Sequence, residues 1–295
     1  MTDSRSILTV NIVGPGRVGR SLGRLIASST GFRVIGIAGP AHLDEAAIFI
    51  GCEKAANTLA ELEPADLWLL AVPDDAIINV ADELADSRGI IAGTAVAHCS
   101  GAYPSELLAP LRSRGASIGS LHPVYSFAHP ARAVAGFAGT LCAIEGDQTT
   151  CALLEKLVIT IGGQPFRLAP GSKSAYHAAL CIASNYLVVL THLARQSAAL
   201  AGLDSAQSLP LITGLMRQTL DNVAALGPEA ALTGPILRGD VQTVAAHLQA
   251  LTTQPELAGY YRELGQATLL WAADRLPPES VQALATLLEP PRPDS

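Results

Sequence analysis

Four short polar clusters interrupt a chain whose residues are 49% hydrophobic. His98-Cys99-Ser100-Gly101 and His122-Pro123 each end an apolar run. The Ser100 hydroxyl and the Gly101 amide could hold a carboxylate there, and His122 could donate to a carbonyl oxygen. Histidines in such places also serve as turn or core residues satisfied by backbone. The third cluster is Gly171-Ser172-Lys173-Ser174-Ala175-Tyr176-His177. It sets Lys173 and His177 four apart on one helix face, with Ser184 near that stripe and Asn185 to one side. A lysine and a histidine on an otherwise apolar face are costly to bury unless they line a cavity. The plainer alternative is a snorkelling Lys173 and a core His177. The fourth cluster is Leu232-Thr233-Gly234-Pro235-Ile236-Leu237-Arg238-Gly239-Asp240. Asp240 suits the N-cap of a helix over 241–251, which leaves Thr233 and Arg238 for an anion-binding loop. The chemistry such residues share is proton transfer beside an anionic substrate. Lys173 or His122 would be the general acid, with the other orienting it and His177 close by. Ser100, Gly101, Asn185, Thr233 and Arg238 would fix the anion.

These side chains need a scaffold, and the stretch 7–39 supplies its beginning. An apolar run over 7–13 leads into Gly14-Pro15-Gly16-Arg17-Val18-Gly19, then a helical pattern over 21–28 and a second apolar run over 33–38. Strand, G-x-G-x-x-G and helix arrive in the order of a dinucleotide site. The first glycine makes the turn, the second admits pyrophosphate to the backbone, and the third lets the helix pack on its strand. Gly39, at the end of the second run, and Val72-Pro73, at the end of an apolar run over 66–72, should border the same cofactor, as should Ser100. About twenty residues past the last glycine, where an NAD site usually carries an acid, stands Ala38-Gly39-Pro40, and the nearest acid is Asp44. That favours NADP and leaves NAD possible. No arginine is at hand there, so His42 or backbone amides would hold a 2′-phosphate.

Further strands are expected over 94–98, 116–121, 140–144 and 165–168, with helices over 59–65, 76–84 and 149–161 between them. A helix carrying Pro110 should kink or end early. Strand–helix alternation of this kind predicts a doubly wound α/β sheet, Rossmann-type, over residues 1–169. From 170 to 295 only helical patterns remain, at 175–200, 207–225, 241–251, 256–276 and 281–288, so an all-α domain follows. The Pro-rich end over 289–295 is expected to fray. The run 178–194 is nearly long enough to span a bilayer. Its Ser184, Asn185, Thr191 and His192 make a buried central helix the better reading. A net charge of −7 without basic blocks argues against nucleic-acid binding. Five scattered cysteines without C-x-x-C read as reduced core residues, not metal ligands. The polar start over 1–6 shows no signal peptide, so the expected location is cytoplasmic.

Taken together, the glycine corner, Val72-Pro73-Asp74, His98-Cys99-Ser100-Gly101, His122-Pro123, Tyr176-His177-Ala178-Ala179, Ser184-Asn185 and the Thr233–Asp240 loop carry a resemblance. The chain resembles bacterial proteins that join a Rossmann-like domain to a helical domain of unknown function. They lie in the 6-phosphogluconate dehydrogenase-like superfamily, beside ketopantoate reductase, pyrroline-5-carboxylate reductase and the deazaflavin-dependent NADP reductases. The resemblance implies the fold, a nucleotide site and a homodimer formed through the helical domain. In the hydroxyacid dehydrogenase and ketopantoate reductase relatives a catalytic Lys is followed four residues on by an Asn. Lys173 matches that Lys, whereas His177 stands where the Asn would be. The expected activity is NAD(P)-dependent hydride transfer to or from a small carbonyl, imine or hydroxy acid. A dinucleotide-binding sensor or assembly partner without turnover is the rival, and a deazaflavin-linked reductase a third option.

Overall fold

The computed structural model describes residues 7–40 and 42–290, so the expectations for residues 1–6 and most of 289–295 fall outside the described residues. The chain divides into two compact units, Met1–Leu180 and Cys181–Ser295. That division lies one short helix later than the break expected at 169.

The first unit opens as the glycine pattern requires. β1 (Leu8–Val13) enters the corner, α1 (Arg17–Ala27) leaves it, and β2 (Phe32–Ala38) returns beside β1. Gly19, Ser21, Leu22, Gly23 and Ile26 form the buried face of α1, the spacing of a helix laid on a sheet. α2 (Leu43–Ile50) and the two-residue β3 (Ala55–Ala56) follow. The helix expected over 59–65 shrinks to a single 3-10 turn, Leu59–Glu61, because Pro64 disfavours helical backbone at the residue before it. β4 (Leu67–Leu70) is buried at every position. The turn Asp74–Ala76 then feeds α3 (Ile77–Asp86), which leads to β5 (Ala95–His98). The segment with Pro110 is a 3-10 helix, Ser105–Arg114, as a residue without an N–H in mid-helix demands. β6 (Ser117–Pro123), α4 (Pro130–Gly136), β7 (Leu141–Gly146), α5 (Gln148–Thr160), β8 (Gln164–Arg167) and α6 (Lys173–Leu180) complete the unit.

The eight strands form one sheet in the order β3-β2-β1-β4-β5-β6-β7-β8. All pairs are parallel except β6 with β7. The order reverses between β1 and β4, and ligands of such sheets bind beyond the strand carboxyl ends at that reversal. Each face carries its own core. Leu22, Ile26, Leu154 and Val158 cover one side. Trp68, Ala81, Leu84, Leu108 and Leu111 cover the other.

In the second unit a π turn, Cys181–Asn185, precedes α7 (Tyr186–Leu200). The single helix expected over 175–200 is therefore interrupted, and Ser184-Asn185 sits in the interruption. α8 (Ser205–Leu226) starts from a capping box, Asp204 with Gln207. α9 (Pro228–Ala231), α10 (Val241–Ala250), α11 (Pro255–Ala272) and α12 (Pro278–Leu288) follow, with Pro at the start of three of them. Ile236, Val244, Leu248, Leu269, Leu284 and Leu288 form their core. The expected burial of 178–194 is overturned. The helical run Lys173–Leu200 has a mean hydropathy of 1.4, long and apolar enough to cross a membrane, yet none of its apolar window is buried. Apolar periodicity shows that a face must be covered, not that the same chain covers it.

Candidate active site at the carboxyl edge of the sheet

At the β1–α1 corner Gly14 has φ +85°, and its amide donates to the Ala38 carbonyl at 2.8 Å. A β-carbon there would lie 2.7 Å from the Ala71 carbonyl oxygen, and one at Gly19 would run into the Gly14 carbonyl oxygen. Gly16 differs, since among the described residues a β-carbon on it meets no atom within 4 Å. Gly14 and Gly19 thus serve packing, whereas the space over Gly16 is open. Gly16 is also the N-cap of α1, with no side chain capping the helix and no acid in its first turn. Backbone amides and the helix dipole there favour an anion. Pro15 closes on Gly39, whose β-carbon would lie 2.7 Å from its ring. Arg17 is exposed, and Val18 packs against the core beneath. A cleft of about 420 Å³ runs from Gly14 and Gly39 past Thr58 to Val72 and Pro73. These residues fit a dinucleotide: a pyrophosphate over Gly16, and the rest of the molecule along this cleft.

The ribose end shows what the sequence left open. Arg20 donates from Nε to the Pro15 carbonyl at 3.0 Å and from Nη2 to the His42 carbonyl at 3.3 Å. Its Nη1 and the Nδ1 of His42 each lie 3.7 Å from Glu45. Arg20 is the cation that the motif count did not point to, because it follows the glycines directly instead of ending β2.

Beyond β5 and β6 three of the polar clusters converge. His98 accepts the Ser100 amide on Nδ1 at 3.2 Å and faces the Pro104 carbonyl with Nε2 at 3.1 Å. Burial, and then the charge of Lys173, lower its pKa to about 4, so His98 is a neutral organiser of the turn. The Ser100 hydroxyl accepts the amides of Ala102 and Tyr103 at 3.2 and 3.1 Å, which fixes Gly101 in place. Cys99 is pushed up to about 12 by burial, an inert thiol. A β-carbon on Gly101 would lie 2.7 Å from both His122 Nε2 and His177 Cδ2, so only glycine lets these rings stand as they do. The His122 and His177 rings meet edge to face, 6.2 Å apart. His122 Nδ1 is 2.8 Å from the Tyr176 hydroxyl, a partner that the sequence did not single out. Burial, then Lys173 and His177, lower the His122 pKa to about 4, which keeps the ring neutral.

Lys173 lies inside, only 4% exposed, which excludes the alternative of a snorkelling head group. Its Nζ donates to the Ser120 hydroxyl at 2.5 Å and stands 3.8 Å from the Glu145 carboxylate. Burial is the main influence and brings its pKa down to about 8, while Glu145, Cys99 and Asp74 pull the other way. Glu145 escaped the sequence reading altogether. The parallel pattern gave no reason to expect β7 antiparallel, and only that direction sets Glu145 opposite Ser120.

The remaining candidates belong to the second unit. Asn185 closes the π turn and is exposed. Thr233 and Arg238 are exposed on the turn before α10. Asp240 caps that helix, accepting the Thr243 amide at 3.0 Å.

A glycine corner on this strand order defines a Rossmann-like domain, and comparison with known proteins agrees. Residues 2–123 match the Rossmann-like domain family, and residues 140–268 match a domain of unknown function, DUF2520. The chain is thus a Rossmann-like domain followed by a DUF2520 domain. The second match begins at β7, inside the sheet. Among solved structures, protein TM1727 from Thermotoga maritima is 27% identical, with a TM-score of 0.69 over 90% of this chain and 98% of its own. A candidate NADP oxidoreductase, BF3122 from Bacteroides fragilis, is 20% identical, with a TM-score of 0.75 over 90% and 98%. A reductive aminase from Aspergillus terreus, in complex with NADPH and ethyl-5-oxohexanoate, is 16% identical, with a TM-score of 0.66 over 96% and 98%. The last two are likenesses of fold. No curated protein matches the sequence.

Proposed function

We propose that this protein is an NADP-dependent oxidoreductase acting on a small anionic carbonyl, imine or hydroxy-acid substrate. The observation that carries it is the meeting of Lys173, His122 and Gly101 at the carboxyl edge of a sheet whose glycine corner is open over Gly16. A bound nicotinamide dinucleotide supplies or accepts the hydride. The chain's part is the proton. Lys173, charged at neutral pH and depressed toward it, is the donor to the reacting oxygen or nitrogen. His122, neutral and tied to Tyr176 through Nδ1, orients that atom with Nε2. The Ser100 hydroxyl and the Gly101 amide hold substrate beside it; Asn185, Thr233 and Arg238, in the second unit, stay candidates for binding an anion. NADP is favoured by the lack of an acid at the end of β2 and by Arg20 and His42 near the ribose end. The NADP named for BF3122 and the NADPH held by the aminase point the same way.

The partner we propose is a second copy of the chain, bound through the helical unit. Val188 is 70% exposed, Leu215 65%, Leu226 62% and Leu211 60%, on two neighbouring helices. Exposed large apolar side chains gathered on packed helices are the material of an interface.

The test is turnover. Reduced cofactor is offered with panels of keto acids, imines and hydroxy acids, and its ultraviolet absorbance is followed. Consumption that is lost in Lys173→Met and in His122→Ala supports the reading. Cofactor binding without consumption on any panel would leave a sensor in its place.

A further inference from the structure

We propose that Glu145 is a positioning residue for Lys173: its carboxylate, fixed by the turn after β5 and by β6, holds the lysine amine charged and in one place. The proposal rests on Lys173 as the proton donor.

Glu145 is fixed before Lys173 is considered. Its carboxylate accepts the Ser105 amide at 2.6 Å, the Ser105 hydroxyl at 3.2 Å and the Ser120 hydroxyl at 3.1 Å. Three donors on a side chain only 12% exposed leave it little freedom. Ser120 serves twice, since its hydroxyl accepts from Lys173 and donates to Glu145. The bridge keeps the two charges 3.8 Å apart, close enough to attract and too far for a direct proton hand-over. The groups facing Lys173 from the neighbouring strands are Asp74 after β4, His98 and Cys99 on and after β5, His122 on β6 and Glu145 on β7. His98 and His122 are neutral and Cys99 is protonated, so Glu145 and Asp74 are the negative charges there. Burial alone would drive the amine neutral, and Glu145 opposes it most. A neutral amine would have no proton to give, and it would no longer help to keep His122 uncharged.

The rival is a purely structural role, a staple between α6 and the sheet. Competitive labelling of Lys173 with an amine reagent, read by mass spectrometry across pH, separates the two and needs neither substrate nor cofactor. In the intact protein the labelling midpoint should fall near 8. In Glu145→Gln it should fall lower by about 1–3 pH units, the effect of an opposite charge at this range, and Glu145→Asp should recover part of the difference. An unchanged midpoint in folded Glu145→Gln overturns the proposal. Should that variant fail to fold, carboxyl carbon NMR of the unmodified protein decides instead. The Glu145 signal should show a step at the labelling midpoint of Lys173, and its absence overturns the proposal. If turnover is never found but these shifts are, the ion pair stands and the enzymatic reading falls.

Discussion

Burying Lys173 should leave a signature in stability that can be read without any substrate. An amine held at about 8 in the folded chain and 10.5 in the unfolded one is bound to a proton more tightly when unfolded. Between those values the unfolded state carries more protons, so stability rises with pH across the window. The penalty is fully present below pH 8 and gone above about 10.5. At 1.36 kcal/mol per unit it amounts to roughly 3 kcal/mol. Cys99 and Tyr176, pushed up to about 12, act in the opposite sense at high pH, but they are common to any variant that spares them. The informative quantity is therefore a difference. Urea unfolding of the unmodified protein and of Lys173→Met is measured at intervals from pH 7.5 to 10.5. The stability of the unmodified chain should climb relative to the variant by roughly 3 kcal/mol, most of it between pH 8 and 10. Parallel curves would refute a depressed, buried lysine and with it the poised proton donor.

Three further outcomes follow from single contacts. Gly101→Ala puts a methyl 2.7 Å from His122 and His177, so stability should drop by about 1–3 kcal/mol and turnover should fall with it, as unfolding and steady-state kinetics will show. Glu45→Gln frees Arg20 and His42 from their shared carboxylate, so NADPH should bind several-fold tighter while NADH changes little in fluorescence titrations. Val188→Glu or Leu215→Glu places a charge on the uncovered helical face and should shift sedimentation from dimer to monomer.

Much of the first unit was legible because its signals are local. The glycine corner, the apolar strands ending at Leu70 and His98, and the helix of Lys173 each announce themselves within a dozen residues. α2 and α4 were not read, lying in loops where short helices carry weak periodicity. The partners of the site were harder. Tyr176 and His122 stand far apart in sequence, and Glu145 enters only because β7 runs antiparallel to β6. Pairing direction depends on distant contacts that no local pattern encodes. The exposure of α7 and α8 was hidden for a related reason: an apolar helix reads alike whether its own chain covers it or another does.

The central claim is that a dinucleotide pyrophosphate lies over Gly16. Gly16 has an extended backbone that any residue adopts, and open space where a side chain would project. Gly16→Val should therefore unfold at the same temperature as the unmodified protein in the absence of nucleotide. NADPH titration of the two proteins is the direct measurement. The expected result is binding by the unmodified chain and its loss in Gly16→Val, as when an anion is barred from the amides at a helix start. Equal binding by both proteins would place the nucleotide elsewhere and contradict the account.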